Sequence, residues 1–115
     1  MTSSEWVEIP ASAYQRLLSS SQGITQIKLG NKLLCLAKQA EEWYATSPKC
    51  PHQGAPLAGG HFNETGALVC PWHRFAFDLA SGQSNRGGYV VNTYPLRWEG
   101  EQLSILLPRK KWWQL

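Results

Sequence analysis

Two short segments, each with one cysteine and one histidine, constrain this chain more than any other feature. The first reads Cys50-Pro-His52 and the second reads Cys70-Pro-Trp-His73, with 17 residues between His52 and Cys70. Thiolate and imidazole are the ligands that proteins use for zinc and for iron–sulfur centres. We therefore expect a fold that brings two tight, proline-containing turns together around a metal centre.

The composition predicts a small protein built from many short strands. Of its 115 residues 43% are hydrophobic and 17% charged, and 10 Gly and 7 Pro break the chain into short elements. These values favour an all-β fold in a single domain spanning residues 1–115. The net charge is +3, and the basic run at residues 109–111 does not by itself predict nucleic-acid binding.

The N-terminal segment and the cysteine count indicate the compartment. Glu5, Glu8 and Arg16 interrupt the first residues, so we expect neither a signal peptide nor a membrane helix. Three cysteines are an odd number in a small chain, which argues against a disulfide framework. We therefore expect a cytoplasmic protein, and we also expect it to be a monomer. Cys35 lies among aliphatic residues and is expected to be buried as a small hydrophobic side chain.

Alternating apolar and polar residues predict one helix and about nine or ten short strands. Residues 5–9 predict a first strand, and Ser12 is the expected N-cap of a two-turn helix. Residues 24–38 predict a hairpin that turns at Gly30-Asn31. Further strands are predicted at residues 43–45, 61–62, 67–69, 75–78, 89–91, 94–98 and 102–107. Each cysteine–histidine segment then lies at the tip of a hairpin-like loop.

The order of the ligand residues bears on the choice of metal. A single tetrahedral zinc accepts two cysteines and two histidines, so a structural zinc module is one interpretation. Zinc fingers, however, usually pair cysteine with cysteine and histidine with histidine. Here each segment mixes the two types, which suits two adjacent irons, one taking both thiolates and the other both imidazoles.

Longer motifs surround both segments. They read Cys50-Pro-His-Gln-Gly-Ala-Pro-Leu57 and Cys70-Pro-Trp-His73, the second followed by Phe75-Ala-Phe-Asp78. These motifs resemble the two cluster-binding boxes of Rieske [2Fe-2S] proteins, and the flanking strand patterns extend the resemblance over residues 5–107. The resemblance implies an antiparallel β-sandwich with a cluster-binding subdomain at about residues 48–80 and one short N-terminal helix.

The same resemblance assigns the ligands. It implies that Cys50 and Cys70 bind one iron of a [2Fe-2S] cluster, and that His52 and His73 bind the other iron, which faces solvent. It implies no catalytic residue. Contacts with redox partners are then expected around the loop tips, at Gln53, Pro56, Leu57, Trp72 and Arg74.

The function implied is one-electron transfer by a low-potential Rieske-type ferredoxin. Such a protein carries electrons between a flavin-dependent reductase and a terminal acceptor such as a ring-hydroxylating oxygenase. An oxygenase subunit itself would need a further iron-binding domain, for which 115 residues leave no room. The alternative is a small Rieske-like subunit of an assimilatory nitrite reductase, and the structural zinc module is a third interpretation.

Several positions depart from the respiratory-chain members of that family. Those proteins carry an extra cysteine in each box, and Ala55 and Trp72 stand at the matching positions, so their disulfide cannot form here. Those proteins also have a serine and a tyrosine whose hydroxyls donate hydrogen bonds at the cluster. Phe75 and Phe77 stand at the matching positions and donate none. We therefore predict a reduction potential near the low end of the Rieske range, roughly −150 mV. Arg74 stands where the family usually has glycine. An arginine is disfavoured there if the backbone needs positive φ.

The remaining candidates are given structural roles. His61 is expected at the surface, because it has no cysteine nearby in the sequence. Trp6, Trp43 and Trp98 are expected to cover the core or the sheet faces. Trp112 and Trp113 follow the basic run and are expected to pack back on the sandwich.

Overall fold

The computed structural model describes residues 4–52, 54–72 and 74–108, and in these ranges short antiparallel strands dominate. Gln53, His73 and the C-terminal tryptophans, about which the sequence makes predictions, lie outside the described residues. The elements are β1 (Ser4–Ile9), α1 (Ala11–Ser19), β2 (Ile24–Leu29), β3 (Lys32–Gln39), β4 (Glu42–Thr46), a 3-10 turn (Leu57–Gly59), β5 (His61–Phe62), β6 (Leu68–Val69), β7 (Ala76–Phe77), β8 (Thr93–Tyr94), β9 (Leu96–Glu99) and β10 (Gln102–Pro108). The predicted all-β fold with one short N-terminal helix is confirmed.

The strands form three antiparallel sheets. The first has the order β1-β10-β9, the second β2-β3-β4-β8 and the third β5-β6-β7. The first two sheets face each other across one hydrophobic core, which makes the predicted sandwich. Among the described residues, no helix is long and apolar enough to cross a membrane.

Strand β3 is the wall between two cores. Four consecutive residues of β3, from Leu34 to Ala37, are at most 1% exposed. Because successive side chains in a strand point to opposite faces, Leu34 and Leu36 enter one core and Cys35 and Ala37 the other. Burial on both faces explains why β3 is an apolar run and lacks the alternation of a half-buried strand.

The two cores have different surroundings. The helix-side core lies within the sandwich and includes Leu17 of α1, Ile9 of β1 and Ile105 of β10. The loop-side core lies between the second sheet and the third, and it contains both Cys50 and Cys70. The cysteine–histidine segments are therefore anchored in a hydrophobic core that also uses one face of β3.

Three local predictions were wrong. Helix α1 begins at Ala11 after Pro10, with no side-chain cap, so Ser12 is inside the first turn and is not the N-cap. Pro10 takes the cap position because its fixed φ suits a helix start. Residues 89–91 form only one bridge, from Gln83 to Val90. The strand predicted at 94–98 is split at Pro95, which has no N–H for a ladder.

Trp6, Trp43 and Trp98 each contact another side chain on the sandwich. Trp43 and Trp98 meet edge to face with ring centroids 5.4 Å apart, and Tyr14 of α1 contacts both rings. Trp6 lies under the guanidinium of Arg97, 4.1 Å from the ring centroid. These aromatic contacts cover the sheets of the sandwich, as predicted.

Candidate functional site

Two loops with the same backbone closure carry the cysteine–histidine segments. In the first loop the N–H of Cys50 donates to the carbonyl of Ala55, and in the second the N–H of Cys70 donates to the carbonyl of Phe75, both at 2.8 Å. The residue before the closing carbonyl has positive φ in both loops, 80° at Gly54 and 55° at Arg74. The two loops therefore present their cysteines at equivalent positions.

Arg74 has the positive φ that is unfavourable for most residues other than glycine. A φ of 55° falls in the left-handed region, where a side chain with a Cβ is disfavoured. Glycine at this point of the first loop carries no such cost. The second loop thus keeps its closure despite an unfavourable residue.

The structure brings the thiols of Cys50 and Cys70 together. Both side chains are buried, 2% and 1% exposed, and the two thiols are in hydrogen-bond contact. Burial raises the pKa of the Cys70 thiol above its ordinary value, and the adjacent Cys50 raises it further. The N–H of Trp72 donates to the Cys70 sulfur and opposes both effects, because it stabilises the thiolate.

His52 projects from the first loop into a group of aromatic rings. Its imidazole stacks on Phe75 of the second loop, with centroids 4.4 Å apart and planes 14° from parallel. Tyr89 meets the same imidazole edge to face at 5.2 Å. The Nδ1 atom of His52 is buried and makes no hydrogen bond among the described residues. The ring plane is thus fixed by aromatic contacts.

A third loop, residues 84–91, completes this group. Arg86 places its guanidinium 4.5 Å from the centroid of the Phe75 ring, and Tyr89 contacts the same ring edge to face at 5.3 Å. The intervening Gly87 has a φ of 75°, and a Cβ there would come within 2.8 Å of the Tyr89 ring. A glycine at position 87 therefore lets the third loop approach closely enough to cover Phe75.

Arg86 and Tyr89 lie outside both sequence motifs, which therefore predict no site role for them. The signal that could have found them is the Gly87-Gly88 pair, since adjacent glycines mark a backbone that must bend sharply or approach another segment. Both glycines have positive φ. Tyr89, one residue beyond them, is thereby directed at the first two loops.

The predicted surface contacts are only partly accessible. Pro56, Trp72 and Arg74 are exposed, Trp72 by 51%. Leu57 is fully buried, so its predicted role as a partner contact is wrong. Leu57 begins the 3-10 turn, and its side chain fills the loop-side core. An apolar residue that follows an exposed turn is thus used to anchor the first loop.

The other predicted positions agree with their assigned roles. His61 is exposed on β5. Cys35 is 1% exposed, and burial raises its pKa to about 12, although the Thr46 hydroxyl partly offsets this. Phe75 and Phe77 are buried and carry no hydroxyl. Among the described residues, which exclude His73, no three His, Cys, Asp or Glu side chains form a group that could hold a metal ion.

Comparisons with known proteins identify relatives. A family model described as "Rieske [2Fe-2S] domain" matches residues 6–95. The chain is 32% identical over 78 residues to the ferredoxin component of the alkene monooxygenase system of Xanthobacter autotrophicus, which covers 67% of this chain and 64% of the relative. It is 39% identical over 82 residues to apoptosis-inducing factor 3 of Mus musculus, which covers 70% of this chain and 13% of that protein. The chain therefore spans less than two thirds of the length of these relatives.

A solved structure supports the fold. The ferredoxin of Sphingomonas yanoikuyae B1 superposes with a TM-score of 0.69 at 24% identity, covering 80% of this chain and 93% of that one. The family match includes both cysteine–histidine segments, the second and third sheets and most of β1. The chain therefore belongs to the Rieske [2Fe-2S] domain family, whose cofactor is a Rieske-type [2Fe-2S] cluster.

Proposed function

We propose that Cys50, His52, Cys70 and His73 are the four ligands of the [2Fe-2S] cluster. The observation that carries this assignment is the buried pair of thiols, held in contact by two loops with the same hydrogen-bonded closure. The donor set fits the group, because thiolate sulfur and imidazole nitrogen are the ligands of a Rieske cluster. The buried Nδ1 of His52 is a suitable nitrogen ligand, and His73 follows from its position in the second box.

The proposed activity is one-electron transfer as a ferredoxin. When bound, the Rieske cluster supplies a site that gains and returns a single electron. The chain keeps this site in the loop-side core while His52, which is only half-buried, leaves it within reach of the surface. A monomeric carrier, with a cluster-binding part at about residues 48–80, fits this arrangement of loops.

The proposed partners are a flavin-dependent reductase and a terminal oxygenase or similar acceptor. The similarity to the ferredoxin component of an alkene monooxygenase system supports this choice. The exposed Pro56, Trp72 and Arg74 lie on or directly beside the first two loops. A partner that binds there shortens the distance over which the electron must pass.

A potential measurement on the purified protein tests the proposed function. We expect a red-brown protein with two irons and two sulfides per chain, a rhombic EPR signal when reduced, and a reduction potential of roughly −150 mV. The potential is low because Phe75 and Phe77 donate no hydrogen bond that would favour the reduced, more negative cluster. A voltammetric potential above zero would contradict this account, and a colourless protein with one zinc would refute the cluster.

Replacing Arg74 with glycine separates backbone strain from charge. We expect Arg74→Gly to raise the free energy of unfolding by up to about 1 kcal/mol, because glycine accepts the positive φ without strain. Loss of an exposed positive charge near the cluster should lower the reduction potential by some tens of millivolts at low salt, an effect on the order of 1 kcal/mol.

Denaturation of the holoprotein and voltammetry at two salt concentrations measure these changes. Arg74→Asn is the matched control, because asparagine tolerates the left-handed region and also removes the charge. Both variants should lower the potential by the same amount. An unchanged potential at low salt would refute the electrostatic contribution of Arg74.

A further inference from the structure

We propose that the end of the protein formed by the three loops is a docking face for redox proteins that present carboxylates around their own redox centre. This face, called the loop face, comprises Lys49, Pro56, Trp72, Arg74, Arg86 and Val90. The proposal rests on the proposed function and specifies the chemistry of the partner. It is carried by the distribution of charge.

All charged side chains in the loops that form this face are basic. Lys49 adjoins the first loop and forms a bridge with Pro56 at its base. Arg74 directly precedes Phe75 in the second loop, and the guanidinium of Arg86 in the third loop lies over the Phe75 ring at 4.5 Å. All three basic residues are exposed. Residues 47–60, 70–75 and 84–91 contain no Asp or Glu.

The acidic residues of the chain occupy other segments. They lie on β1, at the ends of β4 and β9, or in turns; they are Glu5, Glu8, Glu41, Glu42, Glu64, Asp78, Glu99 and Glu101. Glu64 follows β5 and Asp78 follows β7, whereas Cys70 follows β6, the antiparallel strand between them. Both acidic residues therefore lie at the end of the third sheet that is opposite to Cys70. The chain thus has a charge asymmetry between its loop face and the rest of its surface.

The cluster does not cancel this positive charge. Two ferric ions, two sulfides and two thiolates sum to zero, and a reduced cluster carries only one negative charge. The loop face therefore keeps an excess of positive charge in both redox states. Charge of one sign around a binding site attracts a partner of opposite sign and accelerates association, and it repels a partner of like sign.

Apolar side chains occupy the same face as the basic residues. Trp72 is 51% exposed and Val90 is 55% exposed, which makes them two of the large hydrophobic residues most accessible to solvent. Pro56 is exposed beside the first loop. Aromatic side chains with a charged surround are typical of protein interfaces, where the apolar part contributes affinity and the charges select the partner.

The experiment compares two forms of one acceptor protein, which carry the same haem but opposite surface charge. The dithionite-reduced holoprotein is mixed in a stopped-flow apparatus with native cytochrome c, whose lysines are positive, or with cytochrome c whose lysines have been succinylated to carboxylates. At about 0.01 M ionic strength, where the Debye length is about 30 Å, we expect the succinylated acceptor to be reduced at least about tenfold faster. At about 1 M, where the Debye length is about 3 Å, the preference should disappear.

Two triple variants assign the preference to the loop face. We expect Lys49→Gln/Arg74→Asn/Arg86→Gln to lose most of the preference for the succinylated acceptor. The control, Arg16→Gln/Lys38→Gln/Arg97→Gln, also removes three positive charges, but from positions outside the three loops. It should retain the preference. Visible absorbance first establishes equal cluster loading in all proteins. Equal rates with the two acceptors, or equal losses in the two variants, would overturn the docking proposal while the ferredoxin function stands. A preparation without a cluster would instead refute the proposed function, and the docking proposal with it.

Discussion

Cys70→Ser is expected to yield a protein without a [2Fe-2S] cluster. The Cys70 sulfur lies in contact with that of Cys50 at the junction of the first two loops, so its loss removes one of the two proposed thiolate ligands of the same iron. Serine is nearly isosteric, but its hydroxyl is a poor ligand for a soft metal centre. We expect the visible absorbance and the reduced-state EPR signal to disappear, with less than one iron bound per chain.

Cys35→Ala is the matched control for this loss. Cys35 is also a buried cysteine of the loop-side core, but it lies on β3, outside the two cluster-binding boxes. Its replacement should retain two irons per chain and an unchanged EPR spectrum, at a cost of about 1 kcal/mol in the free energy of unfolding. A Cys70→Ser protein with a normal spectrum, or a Cys35→Ala protein without iron, would contradict the ligand assignment.

Gly60→Ala is expected to destabilise the protein strongly, because the added methyl group would overlap the backbone of the third sheet. A Cβ at Gly60 would lie 2.0 Å from the carbonyl oxygen of Val69, the residue before Cys70. The contacting oxygen belongs to the backbone of β6 in the third sheet, so a side-chain rotation cannot relieve the contact. We expect a loss of about 3 kcal/mol in the free energy of unfolding, measured by chemical denaturation of the holoprotein.

The neighbouring glycine supplies the control for this prediction. A Cβ at Gly59 would have the Cγ of Pro71 as its nearest neighbour at 3.7 Å, an ordinary van der Waals distance. Gly59→Ala should therefore change stability by less than about 0.5 kcal/mol. Because Gly60 brings the segment after the first loop against the strand that leads into the second, Gly60→Ala should also accelerate iron loss. Equal denaturation midpoints for the two variants would show that this close approach does not matter.

Local signals predicted the parts of the fold that depend on a few adjacent residues. The hairpin of β2 and β3 was predicted correctly because Gly30-Asn31 suits its turn, and Gly30 has a φ of 60°. The two boxes predicted where the cysteines meet, because their residue types and spacing are specific to one family of sites. The position of Arg74 also predicted the unfavourable φ that the backbone adopts.

Features that depend on contacts between distant segments were missed. Leu57 was expected to contact a partner because it lies in the first box at a loop tip, whereas the structure places it in the loop-side core. Tyr89 and Arg86 gave no sign of a site role, because their contacts with Phe75 exist only once the third loop folds over the first two. A pattern with a period of two residues cannot report which distant loop will cover a side chain.

The contacts of Phe75 have a consequence for the proposed electron transfer. Its ring lies against the imidazole of His52 and under the guanidinium of Arg86, while Tyr89 contacts both aromatic rings from the side. With His52 as an iron ligand, an imidazole held in this way has little freedom to rotate when the charge of the cluster changes. Little nuclear rearrangement then accompanies each electron transfer, so exchange can remain fast even with a small driving force. On the proposed ligand assignment, the phenylalanine that offers no hydrogen bond to the cluster is also the residue that holds the imidazole ligand in place.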